Sequence, residues 1–157
     1  MSQPSVLQRS VDVPAPADVV FRFHLDTRNA PLISPPGARF LEVSGDFPVQ
    51  PGCIVRLRVR QPPIPVAQTW LVRIAEVQQD RLVTDVAQRS PFAAWRHEHR
   101  FEALDAHTTR MTDHVEYRLP LGPLGRLADR LFVRAMLNRM FTERHRLTVA
   151  HFSGGSA

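Results

Sequence analysis

One short segment, residues 95–101, constrains the fold of this chain more than any other. Its side chains alternate strictly between two kinds, which is typical of a β-strand with one buried face. The outward positions must be Arg96, Glu98 and Arg100, because an unpaired charge is costly to bury. The inward positions carry two aromatic rings and two imidazoles: Trp95, His97, His99 and Phe101. A dry core would more simply use Val, Ile or Leu, so this mixture indicates the wall of a ligand cavity.

The length of 157 residues fits one domain with a sizeable core. We expect a single domain over residues 1–157, with its core at 6–152 and a flexible tail at 153–157. Fourteen prolines lie mostly in short clusters, which is how the connections between elements are marked.

The net charge of +5 would suit nucleic-acid binding, but the pattern argues against it. All 20 basic residues are Arg, and they are interspersed with 15 acids instead of forming a run. The single cysteine, Cys53, excludes an internal disulfide and a Cys-rich zinc site, so a reducing cytoplasm is the expected location. We expect no transmembrane segment, since no apolar run approaches about 18 residues, and no secretory signal, since the first twenty residues lack a basic start followed by an apolar stretch.

The hydrophobic periodicity predicts an α+β protein in which most strands follow one another directly. Short loops between serial strands favour an antiparallel meander, and a helix of about 29 residues would extend roughly 43 Å across the sheet. The predicted order is a strand at 6–13, short helices at 17–25 and 26–32, strands at 40–44, 53–60, 67–77, 81–86, 95–104 and 108–119, and a helix at 124–152.

The hairpin between the last two strands places His99 opposite Asp113 if its loop has three residues. A carboxylate beside an imidazole fixes the tautomer and raises the pKa of the ring, which suits hydrogen bonding to a ligand or proton transfer. The alternative is structural, since buried polar groups usually find local partners.

Two imidazoles and a carboxylate could also form a three-ligand metal site. A third histidine would strengthen this interpretation, but we expect the other five to lie elsewhere: His24, His107, His114, His145 and His151. We therefore expect no metal and no cofactor. There is no glycine-rich phosphate loop and no Gly-x-Ser-x-Gly elbow, so nucleotide-dependent chemistry and serine hydrolysis have no support.

Several short motifs together resemble a bacterial branch of the START-like superfamily, also called the Bet v1-like or SRPBCC group, of the polyketide cyclase/dehydrase and lipid transport type. The matching segments are Val83-Thr84-Asp85, Ser90-Pro91-Phe92, the Trp-x-His-x-His-x-Phe signature at 95–101, residues 109–113, Tyr117-Arg118-Leu119-Pro120, Gly122-Pro123-Leu124-Gly125 and residues 140–144. Ser90 departs from the usual Gly. The resemblance implies a helix-grip fold, in which a curved antiparallel sheet of six or seven strands, with two short helices after the first strand, surrounds a long C-terminal helix.

The resemblance and the inward face together predict binding or carriage of a small apolar molecule, such as a lipid, a quinone or a polyketide-like compound. We expect the ligand to contact Trp70, Trp95, His97, His99, Phe101, Asp113, Val115, Tyr117, Met140 and Phe141. One alternative is a polyketide cyclase or dehydratase in which His99 and Asp113 are the candidate catalytic residues. A second alternative is a ribosome- or protein-interaction module that uses the basic surface.

Overall fold

Seven strands form one antiparallel sheet in the computed structural model, which describes residues 3–154. The sheet order is β1-β7-β6-β5-β4-β3-β2, so β2 to β7 form a meander and β1 pairs with the last strand. Three irregularities of register, at 40–42, 71–72 and 74–76, bend the sheet. The strands are β1 (Ser5–Val13), β2 (Arg39–Ser44), β3 (Ile54–Arg60), β4 (Gln68–Gln78), β5 (Leu82–Arg89), β6 (Ala94–Ala103) and β7 (Thr109–Arg118).

The predicted faces of β6 are confirmed. His97 and His99 are buried, while Arg96 and Arg100 extend outward and both pair with Glu98. The predicted register of the β6–β7 hairpin is also confirmed, because His99 lies opposite Asp113. The arginines of β3 lie on the exposed face of that strand, as the alternation of residues 53–60 predicts.

Two short helices follow β1, as predicted: α1 (Ala17–His24) and a 3-10 helix (Thr27–Ile33). The 3-10 helix begins at Asp26, whose side chain accepts a hydrogen bond from the backbone N–H of Arg28. α1 packs against β6, and the 3-10 helix contacts β2 and the C-terminal helix.

The long C-terminal helix is also confirmed, with one interruption. It consists of α2 (Gly122–Ala128), a π-helical turn (Asp129–Val133) and α3 (Arg134–Ser153), so Ser153 belongs to the helix and not to the predicted tail. Residues 155–157 of that tail lie outside the described residues. Leu127 and Leu131, in the first half of this helix, are both more than half exposed. The π-helical turn inserts an extra residue and so shifts the helical phase between α2 and α3.

The π-helical turn is held to the sheet by a buried carboxylate. Asp129, at the start of the turn, accepts hydrogen bonds from the hydroxyls of Tyr117, at 2.6 Å, and Ser5, at 2.8 Å. Tyr117 and Ser5 are paired residues on the neighbouring strands β7 and β1. The two hydroxyls therefore fix where the helix begins to cross the sheet.

Candidate functional site

A cavity of about 960 Å³ lies between the concave face of the sheet and the C-terminal helix. Its lining is mostly apolar, and its size lies near the upper end of the range typical of pockets that bind small molecules. The strands contribute Val55, Leu57, Val59, Val72, Ile74 and Val83, and the helix contributes Leu131, Phe132, Met136, Leu137 and Met140. Phe132 is largely exposed, which places it where the cavity meets solvent.

Half of the predicted ligand-contacting residues line this cavity: Trp70, Trp95, His97, His99 and Met140. The two indole rings meet edge to face, with centroids 5.3 Å apart. They form a rigid aromatic wall beside the imidazoles.

The other predicted contacts lie behind the cavity surface: Phe101, Asp113, Val115, Tyr117 and Phe141. Phe101 packs against Phe21 of α1, with ring centroids 5.6 Å apart, so the helix occupies the space that a ligand would need. The side chain of Tyr117 is directed to Asp129. Strand alternation indicates which side chains point inward, but it does not distinguish a core position from a cavity position.

The polar part of the cavity wall contains Asp85, His97 and His99. Asp85 lies opposite His97 in the β5–β6 register, and His99 follows two residues later on the same face. The Oδ2 atom of Asp85 is 3.2 Å from Nε2 of His99 and 3.8 Å from Nδ1 of His97. The two imidazole centroids are only 3.8 Å apart.

Asp113 lies behind these imidazoles and connects three histidines. Its Oδ1 atom accepts a 2.7 Å hydrogen bond from Nε2 of His97 and lies 3.1 Å from Nδ1 of His99, which is not aligned for a hydrogen bond. Its Oδ2 atom accepts a 2.5 Å hydrogen bond from Nε2 of His145 on α3. Asp113 therefore joins the sheet to the helix and fixes the orientation of the imidazoles.

The surroundings of the two imidazoles of β6 shift their pKa values in opposite directions. Burial lowers the pKa of His97, and the neighbouring His99 lowers it further. Burial also acts to lower the pKa of His99, but its contacts with Asp113 and Asp85 outweigh burial and raise this pKa to about 9. Burial acts to raise the pKa of Asp113, yet the hydrogen bonds from His145 and His97 hold it well below its usual range. At neutral pH, His99 is therefore cationic between two carboxylates, and His97 is neutral.

The sequence interpretation missed three residues of this site: Asp85, His145 and His24. His145 and His24 were expected to lie elsewhere, and the structure corrects this. Asp85 is two residues after the buried Val83, so both side chains lie on the same face of β5. His145 is four residues after Phe141 and lies with it on the buried side of α3. These spacings were a signal for inward orientation, but they could not show which elements would meet.

His24 ends α1 and also lines the cavity. Its Nδ1 atom donates a 2.8 Å hydrogen bond to the carbonyl oxygen of Val20. Burial lowers the pKa of His24 to about 3, so the ring is neutral and Nε2 is an acceptor. Within residues 3–154, this Nε2 atom has no hydrogen-bond partner.

The curved antiparallel sheet and the long C-terminal helix define the class of protein as one with the helix-grip fold. Residues 5–152 match the family model described as polyketide cyclase/dehydrase and lipid transport. The chain belongs to this family, which confirms the START-like resemblance. No curated protein matches the chain. No helix among residues 3–154 has both the length and the apolar character needed to span a membrane.

Solved structures with the same fold have little sequence identity with this chain. The Zhui aromatase/cyclase from a Streptomyces species has a TM-score of 0.78 at 20% identity, covering 96% of this chain and 94% of its own. A START superfamily protein from Mycobacterium smegmatis has a TM-score of 0.69 at 13% identity, and the match covers 95% of this chain and 97% of the other. A norcoclaurine synthase mutant from Thalictrum flavum has a TM-score of 0.67 at 15% identity, and the match covers 96% of this chain and 98% of the other. These similarities show the fold.

Proposed function

We propose that this protein binds a small, mostly apolar molecule between the sheet and the C-terminal helix. The observation that carries this proposal is the apolar cavity of about 960 Å³ with a cluster of polar groups on one wall. Membership of a family described by polyketide cyclases and lipid transport supports it. As part of this proposal, the protein acts in a reducing cytoplasm, in keeping with its single cysteine.

The ligand combines a flat apolar body with a polar end. Trp70 and Trp95 offer aromatic surface to the body, and Met140 can adapt to its shape. At the polar wall, Asp85 and His97 offer hydrogen-bond acceptors to a hydroxyl or amine. His24 adds an unpaired acceptor, and an unpaired buried polar group costs about 1–3 kcal/mol. A ligand donor that reached this atom would remove that cost.

Energy transfer from tryptophan tests the proposal directly, because both tryptophans of the chain line the cavity. The probe is 1-aminoanthracene, a flat apolar molecule with one amine. We expect its fluorescence to rise saturably on excitation of tryptophan, with one molecule bound per chain. Tryptophan emission should fall in parallel.

Neighbouring residues on β3 provide a matched pair of variants. Val55 faces the cavity, and Ile54 faces solvent on the opposite side of the strand. V55F should weaken probe binding roughly tenfold, since overpacking a filled site costs about 1–3 kcal/mol. I54F should bind like the wild type. Equal affinities for both variants, or no saturable signal in the wild type, would contradict the proposal.

The same wall supports a second candidate function, a cyclase or dehydratase. His99 lines the cavity with a carboxylate near each ring nitrogen, an arrangement that orients an imidazole for proton transfer. Asp113 does not line the cavity, so it would position His99 and not contact the substrate. Incubation with a linear poly-β-ketone, followed by chromatography, tests this candidate. For this candidate we expect the wild type to convert the substrate, and we expect H99A to lose this activity while it still binds 1-aminoanthracene. An inactive wild type would contradict the candidate function.

A further inference from the structure

Three potential metal ligands converge on the cavity wall from two adjacent strands. The atoms are Oδ2 of Asp85, Nδ1 of His97 and Nε2 of His99, and all lie within 4.8 Å of one another. Two ligands bound to one tetrahedral zinc ion at about 2.0–2.1 Å are roughly 3.3–3.4 Å apart. The distances from Asp85 to His99 and to His97, 3.2 and 3.8 Å, lie on either side of that value.

The group behind these atoms is the kind that accompanies metal-bound histidines. A histidine that binds a metal through one nitrogen usually directs its other ring nitrogen to a carboxylate or carbonyl. Asp113 occupies that position for His97, whose Nε2 atom donates a hydrogen bond to it, and the same oxygen lies 3.1 Å from Nδ1 of His99 without the alignment of a hydrogen bond. The opposite nitrogens, Nδ1 of His97 and Nε2 of His99, consequently both face Asp85.

Asp113 is itself fixed by a fourth residue. Nε2 of His145 donates a hydrogen bond to its second oxygen, and Asp113 and His145 are both at least 95% buried. The orientation of the imidazoles is thus set before any ion binds, which lowers the cost of assembling a site. Asp85 and Asp113 together supply two formal negative charges, which balance a divalent cation in this largely buried position.

We infer that Asp85, His97 and His99 bind a divalent transition-metal ion such as Zn²⁺ at the polar wall of the cavity. Two imidazoles and one carboxylate suit ions of borderline softness. They are a poor ligand set for Mg²⁺ and Ca²⁺, which prefer oxygen ligands. Three protein ligands beside a cavity leave a coordination position for an oxygen of a bound molecule. On binding, Nε2 of His99 releases its proton, because a ligating imidazole must offer a lone pair.

From the sequence we expected no metal site, because two histidines and Asp113, without a third histidine, fell short of a specific ligand spacing. The fold instead places Asp113 behind the rings and brings in Asp85 from β5 as the third ligand. This inference goes beyond the proposed function and does not require it. The 1-aminoanthracene titration tests the cavity, whereas metal binding tests its polar wall, so either can fail alone.

Cobalt provides the test, since Co²⁺ occupies zinc sites and gives visible absorption that reports its coordination. The full chain, without a histidine tag, is treated with chelator, dialysed and titrated with Co²⁺ alone. We expect one ion per chain, with absorption bands typical of a four- or five-coordinate site. Zn²⁺ added afterwards should displace the cobalt and abolish the bands.

Variants identify the ligands. D85N and H99A should each weaken Co²⁺ binding more than about 100-fold, whereas D113N, which removes a supporting carboxylate, should weaken it about 10–100-fold. H114A is the matched control, because His114 lies on the outer face of β7 beside Gln8 and Glu116, and it should bind as the wild type does. Circular dichroism establishes that each variant is folded. Absence of Co²⁺ binding by the wild type, or equal affinity in D85N, H99A and H114A, would overturn the inference.

Discussion

Asp113 organises the polar wall although it does not line the cavity. It is 1% exposed and contacts His97, His99 and His145. A buried carboxylate is tolerated only when it is well paired, and here the partners come from both the sheet and the helix. The stability of the fold and the orientation of the candidate ligand-binding groups thus depend on one side chain.

Replacing Asp113 by Asn should lower the free energy of unfolding by about 3–5 kcal/mol, because the buried carboxylate that lies beside cationic His99 and accepts hydrogen bonds from His97 and His145 is lost. Urea denaturation followed by circular dichroism measures the change. D12N is the control: Asp12 forms an exposed pair with Arg110 on the outer face, so its loss should matter little. Equal effects of the two variants would show that the histidines do not need Asp113.

Tyr117 can be followed alone, because it is the only tyrosine in the chain. Burial, followed by the hydrogen bond to Asp129, raises its pKa from 10.0 to about 12. Folding therefore favours the neutral phenol. Its contribution to stability is complete below pH 10 and is lost as the pH rises through 12.

Absorbance of the tyrosinate ion after rapid pH jumps measures this pKa before the chain unfolds. We expect a midpoint near 12 in the folded protein and near 10 in urea. D129N should lower the folded midpoint, since the neighbouring negative charge is removed, and Y117F should abolish the signal. A folded midpoint near 10 would mean that the Tyr117–Asp129 contact does not hold in solution.

Among the secondary-structure elements, the C-terminal helix covers the cavity on the side opposite the sheet. Its first segment, α2, packs closely on the chain that precedes it at Gly125. A Cβ atom on Gly125 would overlap the carbonyl oxygen of Pro120, which belongs to the backbone and cannot move aside alone. The second glycine of the Gly-Pro-Leu-Gly opening therefore has a steric reason.

G125A should consequently lower the thermal midpoint, although alanine is favoured over glycine by about 1 kcal/mol in an unconstrained helix. Differential scanning calorimetry measures the shift. The neighbouring L124A removes an exposed side chain from the same helix and should leave the midpoint nearly unchanged. An unchanged or higher midpoint for G125A would contradict the close packing at Pro120.

The sequence predicted the secondary-structure elements better than it predicted the tertiary contacts between them. Two-residue alternation correctly oriented β6, and the short loop after residue 104 correctly paired His99 with Asp113, because both are local properties. The contact of His145 with Asp113 depends on how the helix crosses the sheet, which the periodicity of either element does not encode. The π-helical turn, likewise, is fixed by the buried Asp129 and not by local pattern.

For the molecule as a whole, the cavity follows from the way the core is divided. One buried cluster, around Phe21 and Phe101, packs α1 against the sheet. A second, around Tyr117 and Phe141, packs the C-terminal helix against the other end. The space between the curved sheet and the helix is filled by neither cluster. An apolar space of this size is suited to a ligand, and the polar wall gives the ligand one preferred orientation.

Native mass spectrometry of the protein purified from its own host tests the central claim most directly. We expect the wild-type chain to carry one small molecule non-covalently, and we expect I54F to retain this adduct and V55F to lose it. Fragmentation of the released molecule would then identify its apolar body and its polar end. Wild-type protein observed only at the mass of the bare chain, or an adduct equally abundant in V55F, would contradict the claim that this cavity binds a ligand.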